Sequence, residues 1–206
     1  MLIKICGITD KSIAKIADDN GCNFLGGVFY DKSPRHLEIN QAKLIFKDLK
    51  NAQKVAVVVN PNHQYLQQII SDFQPDFIQF HGQENHQFIA DFKENYPQIK
   101  IIKAFSIASK DDLLAIEQFS SLVDLYLLDG KNPGTGQSFD WNILKDFKCS
   151  KPWFLAGGLT LENINQAVKI TNAPMIDISS GLEKIKGIKD QELVMQLLNK
   201  FTNHKK

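Results

Sequence analysis

Two side chains far apart in the sequence are placed to move protons. Cys6 closes the apolar stretch Leu2–Cys6 and is followed by Gly7, and Asp129 closes Leu125–Leu128 and is followed by Gly130. A thiolate at a strand end can act as a nucleophile or a general base. A carboxyl group in the same position either caps the next turn or works as a proton donor. Each has a plainer reading: cysteine is often a small buried hydrophobe, and Asp before Gly often forms a turn. Facing each other across a small ligand, the two would form an acid–base pair. Donation near neutral pH needs burial that favours the protonated acid, so an apolar surround is expected at Asp129.

Three further groups could bind what the pair acts on. Gly157-Gly158 and Ser179-Ser180-Gly181 follow two consecutive apolar runs. Glycines there let backbone N–H groups approach an anion, and a short helix starting at Gly181-Leu182-Glu183 would present its N-terminus to a phosphate. Simple turns are the alternative for either loop alone. Asp177, just upstream, would fix the second loop. Arg35 is the single arginine among 24 basic residues. A planar fork of donors suits a carboxylate or a flat aromatic ring better than an ammonium does. Gln79 is an odd residue for a buried run and could belong to a binding surface, and His81 could orient a substrate or satisfy a loop carbonyl.

These residues need elements to position them. Eight runs read as strands: Leu2–Cys6, Asn23–Phe29, Lys54–Val59, Phe77–Phe80, Ile99–Ala104, Leu122–Leu128, Trp153–Ala156 and Met175–Ile178. Most are continuously apolar, as parallel strands covered on both faces are. Helix-period stretches lie between them, for example Tyr65, Leu66, Ile69 and Ile70, or Leu193, Val194, Leu197, Leu198 and Phe201. Asn40 before Gln41-Ala42, and Ser109 before Asp112, read as helix starts. Eight such repeats predict an α/β fold of the (β/α)8 TIM barrel type in a single domain spanning 1–206, with a doubly wound sheet as the alternative. In these barrels the strand C-termini carry the chemistry, and every one of these candidates falls there or in the loop after it. Thr202–Lys206 reads as a frayed tail.

Composition narrows the function classes. The 206 residues are 43% hydrophobic and 23% charged, with 24 basic against 23 acidic side chains. With a net charge of +1 and no basic stripe, there is no reason to expect nucleic acid or an anionic membrane as partner. No apolar run reaches bilayer-spanning length, and no signal peptide is expected at the N-terminus. Three cysteines with no CxxC, and five histidines with no i, i+4 pair, argue against a disulfide framework or structural zinc and for a reducing, cytoplasmic setting.

The motifs themselves resemble one family. KICGIT (4–9), GGVFYDKSPRHL (26–37), VVVN (57–60), QFHGQE (79–84), LLDG (127–130), GTGQSFDW (134–141), FLAGGLTLENI (154–164) and DISSGLEKIKGIKD (177–190) resemble the phosphoribosylanthranilate isomerases of tryptophan biosynthesis. The resemblance runs from Lys4 to about Asp190. It implies a (β/α)8 barrel that uses no cofactor and no metal and takes a small-molecule phosphosugar; for a barrel this small, monomer and homodimer both stay open. The implied reaction is an Amadori rearrangement of N-(5-phosphoribosyl)anthranilate to 1-(2-carboxyphenylamino)-1-deoxyribulose 5-phosphate. Cys6 matches the general base acting at C2′, and Asp129 the general acid acting on the furanose oxygen. Arg35 matches the contact to the anthranilate moiety. Gly157, Gly158, Ser180 and Gly181 match the phosphate loops, with Ser179 and Asp177 beside them, and Gln79 and His81 lie in the fourth-strand motif. Pro133-Gly134-Thr135-Gly136 departs from a more usual Gly-Gly pair, and Gln79-Phe80-His81 from Gln-Leu-His. The competing readings are another phosphosugar enzyme on the same barrel and a non-catalytic phosphometabolite-binding module. An isomerase of histidine biosynthesis would be expected to carry Asp in place of Cys6. A binding module has no need of both Cys6 and Asp129.

Overall fold

Side chains alternate across a strand, so a strand that is apolar at every position must be covered on both faces. The computed structural model, which describes residues 1–130 and 138–202, meets that demand by closing the sheet on itself. Strands β1 (Leu2–Cys6), β2 (Phe24–Val28), β3 (Gln53–Val58), β4 (Phe77–Phe80), β5 (Lys100–Ile107), β6 (Leu125–Gly130), β7 (Trp153–Leu155) and β8 (Met175–Ile178) form the barrel. Each pairs in parallel with the next, and β8 returns to β1 with Lys4 opposite Asp177. The expected (β/α)8 barrel is therefore present. Helices α1 (Lys11–Asp19), α2 (Ile39–Phe46), α3 (His63–Gln68), α4 (His86–Asn95), α5 (Ile164–Thr171) and α6 (Gln191–Thr202) lie between and after the strands.

Two apolar cores divide the strand faces. Inside the barrel, Phe24, Val28, Val55, Val57, Phe77, Ile102, Ala104, Leu127, Phe154 and Met175 pack together. The Phe24 ring meets Phe77 and Phe154 edge-on, with centroids 5.6 and 5.2 Å away, and helps fill the barrel interior. Outside, the other strand faces pack on the helices, with Ile13, Ala14 and Ala17 of α1 beside Val194, Leu197 and Leu198 of α6. The same period-2 alternation gives the inward positions one register further along to Cys6, Gln79, Asp129 and Asp177. The barrel interior thus changes from apolar to polar as the strands run toward their C-termini.

Four local expectations differ from the structure. The helix read from Asn40 starts one residue earlier at Ile39, because Glu38 caps it, its backbone N–H donating to Gln41 Oε1 at 3.1 Å. Asp112 does accept from the Ala108 and Ser109 amides, both at 2.8 Å, but the segment these bonds open is a 3₁₀ helix over Asp111–Phe119. Leu122 is not in β6, since its amide and that of Val123 donate to Phe119 O and close the preceding turn. No helix starts at Gly181. Leu182 and Glu183 make a single turn through bonds to Ser179 O and Ser180 O, and the chain then enters a two-stranded hairpin, β9 (Glu183–Ile185) and β10 (Ile188–Lys189). Gly187, at φ +86°, turns the hairpin and brings Lys189 back to Glu183. Pro133-Gly134-Thr135-Gly136 lies outside the described residues, as does the expected tail beyond Thr202, which itself still belongs to α6.

Candidate active site

At the C-terminal mouth lies a cavity of about 520 Å³, within the size range of small-molecule sites. Its walls include Cys6, Arg35, His81, Asp129, Gly157, Gly158, Asp177, Ser179 and Ser180. Nine sequence-derived candidates from six strand ends or loops thus converge on one space. The other two stand behind the wall. Gln79 is fully buried, and its Nε2 lies 2.8 Å from His81 Nδ1. Gly181 joins the two glycine loops through a bridge to Thr160.

Asp129 is 9% exposed, with Oδ1 accepting from the Gly130 amide at 2.7 Å and Oδ2 lying 3.5 Å from His81 Nε2. The burial expected for it is present, but the surround is not wholly apolar, because the loop after β4 brings His81 beside it. A side chain at Gly157 would put its Cβ 2.9 Å from Asp129 Oδ1, and the residue sits at φ +86°. Glycine is therefore required there by conformation and by the space the carboxylate takes.

On the opposite wall, Cys6 is partly exposed to the cavity and stands over Gly26, where an added Cβ would lie 3.2 Å from the sulfur. Two residues back on the same face of β1, Lys4 is fully buried, and its ammonium lies 3.0 Å from both Asp177 carboxylate oxygens. Burial alone would push Lys4 down, but the Asp177 carboxylate and the Cys6 sulfur outweigh it and hold the ammonium above its ordinary value. Burial raises the Cys6 thiol, and Asp177 adds to the rise while Lys4 and Lys189 oppose it. Ser179 ties the last loop to this wall by donating to Cys6 O at 2.9 Å.

Arg35 is 5% exposed, and its fork is met from within the protein: Nε and Nη2 donate to Glu183 Oε1 and Oε2 at 2.6 and 2.9 Å. Ser33 Oγ accepts from the Arg35 amide at 3.1 Å and sets the turn that lays the side chain across Gly7. At Gly7, with φ +75°, a Cβ would collide with Arg35 Cδ. A carboxylate is the expected type of partner, but here Glu183 supplies it. Lys189 Nζ shares the same carboxylate at 2.5 Å. Two cations around one acid leave the cluster with a net positive charge.

Burial alone would raise the Glu183 carboxyl, but Arg35, Lys189 and the Gly187 amide pull it down to about 2. A depressed acid adds stability above its unfolded value and loses it as pH falls from about 4.5 toward 2. The Glu183→Gln protein should be less stable near neutrality by up to about 3 kcal/mol and show a flatter acid limb, read by thermal unfolding across pH. Gly181 makes a second stability prediction. A Cβ there would run into Leu159 O, a backbone atom. Gly181→Ala should cost about 1–3 kcal/mol, or roughly 2–12 °C in Tm.

The sequence reading missed five charged groups: Lys4, Glu183, Lys189, Glu84 and Lys103. The last two form a buried pair, Lys103 Nζ to Glu84 Oε2 at 2.9 Å. Glu84 Oε1 accepts from Asn60 N at 2.8 Å and Lys103 Nζ donates to Gly82 O at 2.7 Å, which braces the loop carrying His81. A lysine inside an otherwise apolar strand, as at Lys4 and Lys103, was the available signal, because an unpaired charge is too costly to bury.

A closed parallel barrel with titratable side chains and glycine loops gathered at its C-terminal mouth defines an enzyme-class (β/α)8 barrel. The comparisons narrow the class. The family model for N-(5'-phosphoribosyl)anthranilate (PRA) isomerase matches residues 3–200. The N-(5'-phosphoribosyl)anthranilate isomerase of Zymomonas mobilis subsp. mobilis is 38% identical over 201 residues, covering 95% of each chain. That of Rhodopseudomonas palustris is 34% identical over 93% of this chain and 91% of its own. The solved phosphoribosyl anthranilate isomerase of Thermotoga maritima superposes with a TM-score of 0.89 at 28% identity, covering 98% of this chain and 99% of that one. Another solved PRAI, in complex with reduced 1-(o-carboxyphenylamino)-1-deoxyribulose 5-phosphate, has a TM-score of 0.84 at 27% identity, over 98% of this chain and 100% of that one. The chain belongs to the N-(5'-phosphoribosyl)anthranilate isomerase family.

Proposed function

We propose that Cys6 and Asp129 are the general base and general acid of an N-(5'-phosphoribosyl)anthranilate isomerase reaction at the mouth of this barrel. The chemistry is an aldose–ketose isomerisation in tryptophan biosynthesis. Asp129 gives its proton to the furanose ring oxygen as the C1′–O bond breaks, and the anilino nitrogen's lone pair forms an iminium at C1′. That cation acidifies the C2′ hydrogen. Cys6 takes the proton, the C–H pair becomes the C1′=C2′ bond, and the iminium nitrogen is neutralised. Tautomerisation of the resulting enaminol gives the ketone 1-(2-carboxyphenylamino)-1-deoxyribulose 5-phosphate.

Binding roles reflect where charge is held. Gly157, Gly158, Ser179, Ser180 and Gly181 form the phosphate end. Arg35, in its net-positive cluster with Lys189 and Glu183, faces the carboxylated ring. Gln79 orients His81 beside Asp129, and Asp177 holds Lys4. The chain works as one domain over 1–206, in the cytoplasm, as a monomer or homodimer; one solved relative consists of generated monomers of the dimeric isomerase from Thermotoga maritima. Among the described residues no helix is long and apolar enough to cross a membrane.

The observation that supports this reading best is that Cys6 of β1 and Asp129 of β6 line one cavity together with both glycine loops. The test is direct. Freshly made phosphoribosylanthranilate fluoresces, and the signal disappears on conversion. Purified protein should abolish it far faster than the uncatalysed decay, and a decay rate equal to the blank would end the proposal.

A further inference from the structure

We infer that Lys4 is a positioning residue of the reaction: its buried ammonium, held by Asp177, stabilises the proton-accepting form of Cys6. The inference rests on Cys6 being the proposed base, and adds what makes a sheltered thiol usable.

A lysine with no exposure costs free energy unless it is fully partnered. For Lys4 the partner is Asp177, with both oxygens at 3.0 Å, and the Cys6 sulfur borders the same space over Gly26 as the ammonium. Period-2 geometry puts Lys4 and Cys6 on the same inward face of β1, and the β1–β8 register sets Lys4 directly opposite Asp177. Gly26 of β2 leaves the space they use: an added Cβ there would lie 3.2 Å from Cys6 Sγ and 3.4 Å from Lys4 Nζ. The barrel could have kept this position apolar, as it does at Phe24, the residue paired with Lys4 on β2.

The charges facing Cys6 come from several elements. Lys4 on β1 and Lys189 on β10 favour the thiolate, whereas Asp177 on β8 and burial oppose it. Asp129 of β6, His81 after β4 and Arg35 after β2 stand further along the cavity wall. Glu183 pairs with Lys189 and with Arg35 at once. Lys189 is held in the Glu183 cluster, and Lys4 is the cation that shares the space over Gly26 with the sulfur. When the thiolate takes the C2′ proton, an S–H bond forms as the C–H bond breaks. The ammonium keeps all its protons throughout, so Lys4 acts only through Cys6.

The test reads the thiol itself and does not need turnover. Iodoacetamide labelling of the Cys6 peptide is followed by mass spectrometry as a function of pH, in the wild type, Lys4→Met, Asp177→Asn and the double variant. Lys4→Met and the double variant should move the labelling midpoint alkaline by one pH unit or more. Asp177→Asn, which removes the opposing charge and leaves the ammonium to the sulfur, should move it acid. A merely structural lysine leaves the Lys4→Met midpoint where it is. Midpoints unchanged within about 0.3 unit in folded Lys4→Met or double variant, or an unchanged or alkaline midpoint in Asp177→Asn, overturn the inference. If Lys4→Met alone does not fold, the double variant, which removes both charges of the buried pair, decides it. A Cys6→Ala protein with full turnover would instead remove the base assignment, whatever the labelling shows.

Discussion

Asp129→Asn should lower kcat by 10²–10⁴-fold with the fold intact, because the amide cannot release a proton to the ring oxygen. That range corresponds to about 3–5 kcal/mol of transition-state stabilisation. The substitution is close to isosteric. Its Oδ1 can still accept from the Gly130 amide, and the Gly157 backbone still leaves room for it. Binding should change little, since the phosphate loops and Arg35 are untouched, so the loss belongs in kcat rather than KM. Steady-state fluorescence decay with a thermal melt alongside separates this from misfolding. A residual activity above about a tenth of wild type would mean that another group opens the ring, and His81, 3.5 Å away, would be the first to examine.

Cys6→Ala should be comparably damaging, again 10²–10⁴-fold in kcat, because nothing else at the C-terminus of β1 can accept the C2′ proton. The expectation is stringent because burial raises the thiol, so the environment does not favour an idle cysteine as thiolate. Cys6→Ser should not rescue near neutral pH: the hydroxyl keeps the geometry but holds its proton far more firmly than a thiol does. The lost sulfur faces a cavity, so stability should fall only slightly, and the melt of Cys6→Ala should stay near the wild type. Wild-type turnover in the alanine protein would leave Cys6 as packing beside Gly26 and return the base to the unassigned groups of the same wall.

Strand identity was largely legible in the sequence because a strand covered on both faces is apolar at nearly every position. Six of the eight strands end within one residue of where the apolar runs stop. β5 runs on from Ala104 to Ile107 through Ser106, and β6 from Leu128 to Gly130 through Asp129, polar residues that a hydropathy pattern reads as a stop. The barrel rule then placed Cys6, Asp129 and the glycine loops at one end. What pattern reading could not supply is the pairing of charges. Lys4 meets Asp177 across 173 residues, and Arg35 meets Glu183 across 148. Neither partner carries a local mark of the other.

The helix expected at Gly181 fails for the same reason. Glu183 and Lys189 are drawn to Arg35, a residue in another loop, and the hairpin that brings them there outweighs local helix chemistry. The sequence by itself determined the number of barrel strands, their parallel α/β pattern and the residue types at each strand end, since these come from periodicity and chain order, while the choice of a closed barrel over a doubly wound sheet came with the structure. Only the tertiary structure decided which of those residues share a wall, which charge answers which, and that Arg35 already holds a carboxylate of the protein. Those are consequences of barrel closure and strand register, which bring distant residues within a few ångströms and exist only once the last strand has met the first.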